Sequence, residues 1–156
     1  MDPIESISVK KDTTLAMSLA PQKRGRITHS MLQSDLYLDA GSARASVRTL
    51  SVADDPQNWF SFGNSDNISL ADLDIILMRK DPPFDMDYIY ATYILEQAER
   101  EGTLIVNKPQ SLRDCNEKLF ATQFPQCCPP LIVACSAEKL KAFHDEHQDV
   151  IYKPHD

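Results

Sequence analysis

In "MRKDPP", two cations and a carboxylate stand together: Arg79, Lys80 and Asp81. The residues leading into them, Leu73 to Met78, are almost wholly apolar. Charged side chains at the carboxyl end of a buried strand occupy the usual ligand position of an open α/β sheet. Arg79 and Lys80 could equally mark the strand's exposed exit. Lys118 in "RDCNEKLF" and Lys153 in "IYKPHD" are compact point charges that could grip an anionic phosphate from two sides. On spacing alone, solvated lysines are far commoner than ligand-binding ones. His144 and His147 lie three apart and could share a metal, but no third ligand is evident and a helix-surface pair is the simpler reading. Asp2, before Pro3, could contact a ligand's amine or simply form a turn.

The elements that must position these residues alternate. Asp12 or Thr13 can cap a helix whose apolar side is Leu15, Ala16, Leu19 and Ala20, with Gly25 as a stop. Pro21 predicts a bend or an end within one turn, because its ring removes a hydrogen bond and collides with the preceding turn. "DLYLDAGSARASVRTLSV" reads as two strands around a turn near Asp39–Ser42. The run from Leu73 to Met78 predicts a strand buried on both faces, with Pro82 and Pro83 stiffening the loop after it. A helix capped by Asp85 and stopped by Gly102 follows, with Met86, Ile89, Tyr90, Tyr93, Ile94 and Ala98 on one stripe. A short strand from Thr103 to Val106 completes a βαβ unit. One or two short helices come next. Then Leu131–Ala134 and Val150–Tyr152 are expected as strands around a capped helix, Ser136–His147. The change of texture places a domain boundary near Lys118–Pro130.

Composition narrows the function classes. A net charge of −7 argues against a nucleic-acid binder held by phosphate contacts. No apolar run approaches the length of a membrane span, and no basic segment followed by an apolar one opens the chain. Cys115, Cys127, Cys128 and Cys135 lack zinc spacing and read as reduced thiols of a cytoplasmic protein. With only four glycines, the chain has no glycine-rich phosphate loop. From the residues alone the reading is an α/β ligand-binding domain followed by the start of another unit.

The segments "LMRKDPPFD", "YATYILE" and "GTLIVNKPQSLRDCNEKLF" resemble the bacterial glutathione synthetases, and the resemblance runs from "MDPI" to "KPHD". It implies an open, mostly parallel sheet with flanking helices, a pre-ATP-grasp domain over residues 1–117, and the incomplete start of an ATP-grasp domain over 118–156. It also implies a ligase that phosphorylates the cysteinyl carboxylate of γ-glutamylcysteine with ATP and lets glycine attack the acylphosphate. ATP and Mg²⁺ are then required, and the intact family enzyme is expected to be a homo-oligomer. Lys118 and Lys153 match the family's ATP-binding lysines, the second through its "K-P-x-D-G" strand. Asp2, Arg79, Lys80 and Asp81 fall in the substrate-side cleft. The family carries a short apolar strand before "MDP", and continues past "KPxD" into the glycine-rich loop, adenine pocket and metal ligands. The chain is therefore expected to be an N-terminal portion that holds no metal ligand and is inactive alone. The alternative is a non-catalytic truncated remnant, or a small-molecule-binding or interaction module.

Overall fold

A computed structural model describes residues 1–9, 12–55, 57–81 and 83–154. The stiffening expected of Pro82 lies outside them. After a short turn at Ile4–Ser6, helix α1 runs over Thr14–Gln22. The Asp12 carboxylate, one residue ahead of the Thr13 cap, accepts from the Thr14 N–H at 2.8 Å and so serves one of the free donors of the first turn. Pro21 sits in the last turn and the helix ends one residue later, as its sequence predicts. Gly25, at φ +72°, then turns the chain away. The buried side is Thr14, Leu15 and Ser18 rather than the expected alanines.

Strand β1 (Thr28–Ser30) leads to the hairpin of β2 (Leu36–Asp39) and β3 (Ser42–Val52), and β4 covers Phe60–Ser69. Ala40 and Gly41 both have positive φ, the two-residue turn whose twist suits a hairpin. β3 is central. β1 and β2 pair with its two ends and β4 runs along its length, every pairing antiparallel. Along β3, Ala43, Ala45 and Val47 are buried, and then Leu50 and Val52. A period of two puts these sets on opposite faces. The first set enters a core with Leu70, Ile76, Leu95, Ala98 and Ile105. The second packs with Ile4 and Leu15.

Strand β5 (Ile75–Leu77), helix α2 (Met86–Arg100) and strand β6 (Leu104–Val106) form the expected βαβ unit, with β5 and β6 parallel. Asp85 caps α2, accepting from the Tyr88 N–H at 2.9 Å. Gly102 follows the helix at φ +112°. Short helices α3 (Pro109–Asp114) and α4 (Glu117–Phe120) come next, and α5 (Ala137–His147) is capped by Ser136 as predicted.

Four expectations are corrected. The fold is mixed α/β, but among the described residues only β5 and β6 are parallel; the larger sheet is antiparallel because its strands are joined by hairpins too short for a crossover. β5 is not buried on both faces: Ile76 is covered while Ile75 is 47 % exposed. Half of the stripe predicted for α2 faces outward: Met86, Tyr90 and Tyr93 are exposed, whereas Ala98 of that stripe is buried, together with Tyr88, Ala91, Thr92 and Leu95 outside it. Leu131–Ala134 and Val150–Tyr152 form no strand, because no described strand lies beside them to complete a ladder. Ile151 is 85 % exposed.

Candidate functional site

The carboxyl ends of β5 and β6 open on the same side of the molecule, since the strands are parallel and in register from Ile75↔Leu104 to Leu77↔Val106. Beyond β5, the chain delivers Arg79, Lys80 and Asp81. All three meet the opening loop. Lys80 Nζ lies 2.9 Å from Asp2 Oδ1 and donates to the Asp81 carbonyl at 2.6 Å. The Asp81 N–H donates to Asp2 Oδ2 at 2.8 Å. Arg79 Nη2 reaches Asp12 Oδ1 at 3.2 Å and donates to Thr13 Oγ1 at 3.0 Å. The four residues expected in the cleft are thus brought together, with Asp12 added.

This network sets local charge. Burial pushes the Asp2 carboxyl upward, but the Asp81 N–H and the Lys80 ammonium more than offset it, leaving its pKa below the ordinary carboxylate value. Asp12 is also held low, chiefly by hydrogen bonds from Thr14, with Arg79 adding its charge. Burial raises the Tyr88 phenol, against a smaller opposing pull from Lys80. Tyr88 therefore stays a neutral hydroxyl through the physiological range.

Between the ends of β5 and β6 lies a cavity of about 540 Å³. Phe84 and Tyr88 at the start of α2 form one wall, their rings 5.3 Å apart. Lys80, Lys108 and Lys118 supply its charge, and no carboxylate stands among its described lining residues. In a chain of net charge −7, that is a local inversion of sign. The two neighbouring cavities both carry aspartates.

Lys118 stands in the first turn of α4, whose Asn116 cap accepts from the Lys118 N–H at 3.1 Å. Lys118 Nζ donates to the carbonyl of Pro154 at 2.8 Å. This contact brings the segment carrying Lys153 to the edge of the cavity, while the Lys153 side chain itself is exposed. His144 and His147 stand apart from this site on α5, where the His147 ring packs on Phe143 at 4.4 Å. All four cysteines are free.

Comparison with known proteins decides the family. Residues 1–113 match the prokaryotic glutathione synthetase N-terminal domain, and residues 117–156 match the prokaryotic glutathione synthetase ATP-grasp domain. The chain belongs to the prokaryotic glutathione synthetase family. It is 58 % identical over all 156 residues to the glutathione synthetase of Yersinia pestis, covering 49 % of that relative. The corresponding figures are 60 % and 49 % for Pseudomonas syringae pv. tomato, and 58 % and 50 % for Salmonella typhimurium. The chain spans about half the length of these curated relatives.

Sequence reasoning missed Lys108, Asn107 and Ser111, which the fold places on the cavity. A signal was present. "NKP" follows β6 as "RKD" follows β5, and the rule that ligands sit beyond strand carboxyl ends applies to both strands.

Proposed function

We propose that this chain supplies the substrate side and the first part of the nucleotide side of an ATP-dependent carbon–nitrogen ligase. The reaction joins the cysteinyl carboxylate of γ-glutamylcysteine to the amine of glycine, as ATP becomes ADP and phosphate. The observation that carries this reading is the three-lysine cavity, with no carboxylate among its described lining residues, at the carboxyl ends of two adjacent parallel strands. Anionic substrates belong at such a place.

In this reading, residues 1–117 form the substrate-side domain and 118–156 begin the ATP-grasp. β5 and β6 belong to a larger parallel sheet of the intact enzyme. Lys118 and Lys153 hold nucleotide phosphates. The Asp2–Lys80–Asp81 network fixes the cleft's floor, and the Phe84–Tyr88 wall keeps water from the activated carboxylate. Among the described residues no cluster of three or more His, Cys, Asp or Glu could hold a metal ion. No described helix is long and apolar enough to cross a membrane. A cytoplasmic homo-oligomer, with no nucleic-acid partner, completes the reading.

The test is a chimera joining these 156 residues to the remaining half of the Yersinia pestis relative. It is expected to form glutathione from γ-glutamylcysteine, glycine and ATP, while the 156-residue polypeptide alone forms none. A folded chimera without product, or steady product from the 156 residues alone, would contradict the proposal.

A further inference from the structure

The three lysines of the cavity are not equivalent. Lys80 is committed to Asp2 and to the Asp81 carbonyl, and Lys118 donates to Pro154. The Lys108 side chain makes no hydrogen bond or ion pair among the described residues, and the same holds for the side chains of Asn107 and Ser111. All three lie beyond the carboxyl end of β6, on one rim of the cavity. The rings of Phe84 and Tyr88 line the same cavity. The site therefore offers one uncommitted ammonium, an amide and a hydroxyl together with an aromatic wall. Such a set suits a small molecule with a carboxylate, a peptide-like polar group and a short aliphatic stem. A phosphate cluster would instead call for several uncommitted cations or a cradle of backbone N–H groups.

The geometry points to Lys108 as a carboxylate-binding residue for the acceptor dipeptide, with Asn107 and Ser111 orienting it. This rests on the ligase reading above and names where its acceptor sits. The placement is chemically useful. An acceptor held by Lys108 in the cavity that Lys118 also lines lies next to the proposed phosphate position, and transfer needs reacting atoms only about 3–3.5 Å apart.

Cys115 supplies the probe. It is exposed and lines the cavity, whereas Cys127 and Cys135 are exposed but lie elsewhere. In the 156-residue chain, alkylation of each thiol by iodoacetamide is followed by mass spectrometry during titration with γ-glutamyl-2-aminobutyrate, which has no thiol of its own. Alkylation of Cys115 is expected to slow saturably, by about threefold when the dipeptide is at twice its Kd, with Cys127 and Cys135 unchanged. Lys108→Gln should abolish the protection and Lys108→Arg should largely keep it. Unchanged rates at Cys127 and Cys135 in both variants show that the fold is retained. Absence of protection, equal slowing of all the thiols, or full protection in Lys108→Gln would overturn the assignment. So would protection by ATP or inorganic phosphate in place of the dipeptide. The dipeptide titration involves no turnover. An inactive chimera together with a protected Cys115 would therefore defeat the ligase reading and leave the carboxylate site standing.

Discussion

Asp2 and Asp12 anchor the opening loop to the residues that leave β5, and both anchors depend on ionised carboxylates. Each carboxyl has its pKa lowered in the folded chain. Between the folded and the ordinary values the unfolded chain binds more protons, so stability rises with pH through that window. The contribution is complete above the ordinary carboxyl range and fades as pH falls through the lower folded values. Asp2→Asn is expected to cost about 1 kcal/mol at pH 7, a modest value because the Asp2–Lys80 pair keeps some contact with water. That deficit should be smaller at about pH 3, below the ordinary carboxyl value, where the unfolded carboxyl is protonated and the advantage of the ionised native form is shrinking. Urea unfolding at the two pH values measures it, and a deficit of equal size at both would contradict the account. At this scale much was legible. Arg79, Lys80 and Asp81 announced themselves as charges at a strand exit, and Asp2 as an acidic loop residue. Asp12 was legible only as a cap, because its contact with Arg79 spans 67 positions and depends on how the loop folds back.

Among the elements, α2 decides how the antiparallel sheet meets the parallel pair. Leu95 is 1 % exposed in the shared core, while Tyr90 on the helix's other side is 60 % exposed. Leu95→Ala is expected to cost about 2–5 kcal/mol, through lost burial and the cavity left behind. Tyr90→Ala should change stability by no more than about 0.5 kcal/mol. Thermal or denaturant unfolding compares the two, and a larger loss for Tyr90→Ala would mean that the helix faces the other way. The sequence misleads here for a physical reason. The aromatic and Met stripe is the more hydrophobic, but Ala43 and Ala45 of β3 present a flat surface that the small side chains of Ala91 and Ala98 can approach closely. Local signals served better where backbone geometry dominates. The Ala40–Gly41 hairpin, the Asp85 and Ser136 caps and the end of α1 beside Pro21 all appear where sequence predicts them. Strands failed where partners decide. β4 carries no clean alternation, with "GNSDN" at its centre, yet it pairs along β3. Leu131–Ala134 and Val150–Tyr152 have strand-like composition and no described neighbour.

Across the whole molecule, the ends of β5 and β6 gather cations in an otherwise acidic chain. The outward face of the same pair is apolar, with Ile75 47 % and Leu104 58 % exposed. A sheet that is apolar on both faces is built to be covered on both. The βαβ unit and the cleft beyond its strands were therefore readable from sequence, whereas the larger antiparallel sheet was readable only in its β2–β3 hairpin, since β1 reaches β3 through contacts distant in sequence. The central claim is that the segment around Lys118 and Lys153 is the nucleotide side of a ligase cleft. In the chimera with the Yersinia pestis half, kcat/KM for ATP tests this most directly. Each lysine is assigned a charge-assisted phosphate contact worth about 1.5–3 kcal/mol. Lys118→Met and Lys153→Met should therefore each lower kcat/KM for ATP by about tenfold or more, with His144→Ala and His147→Ala close to the parent. Parental ATP use in both lysine variants would contradict the claim.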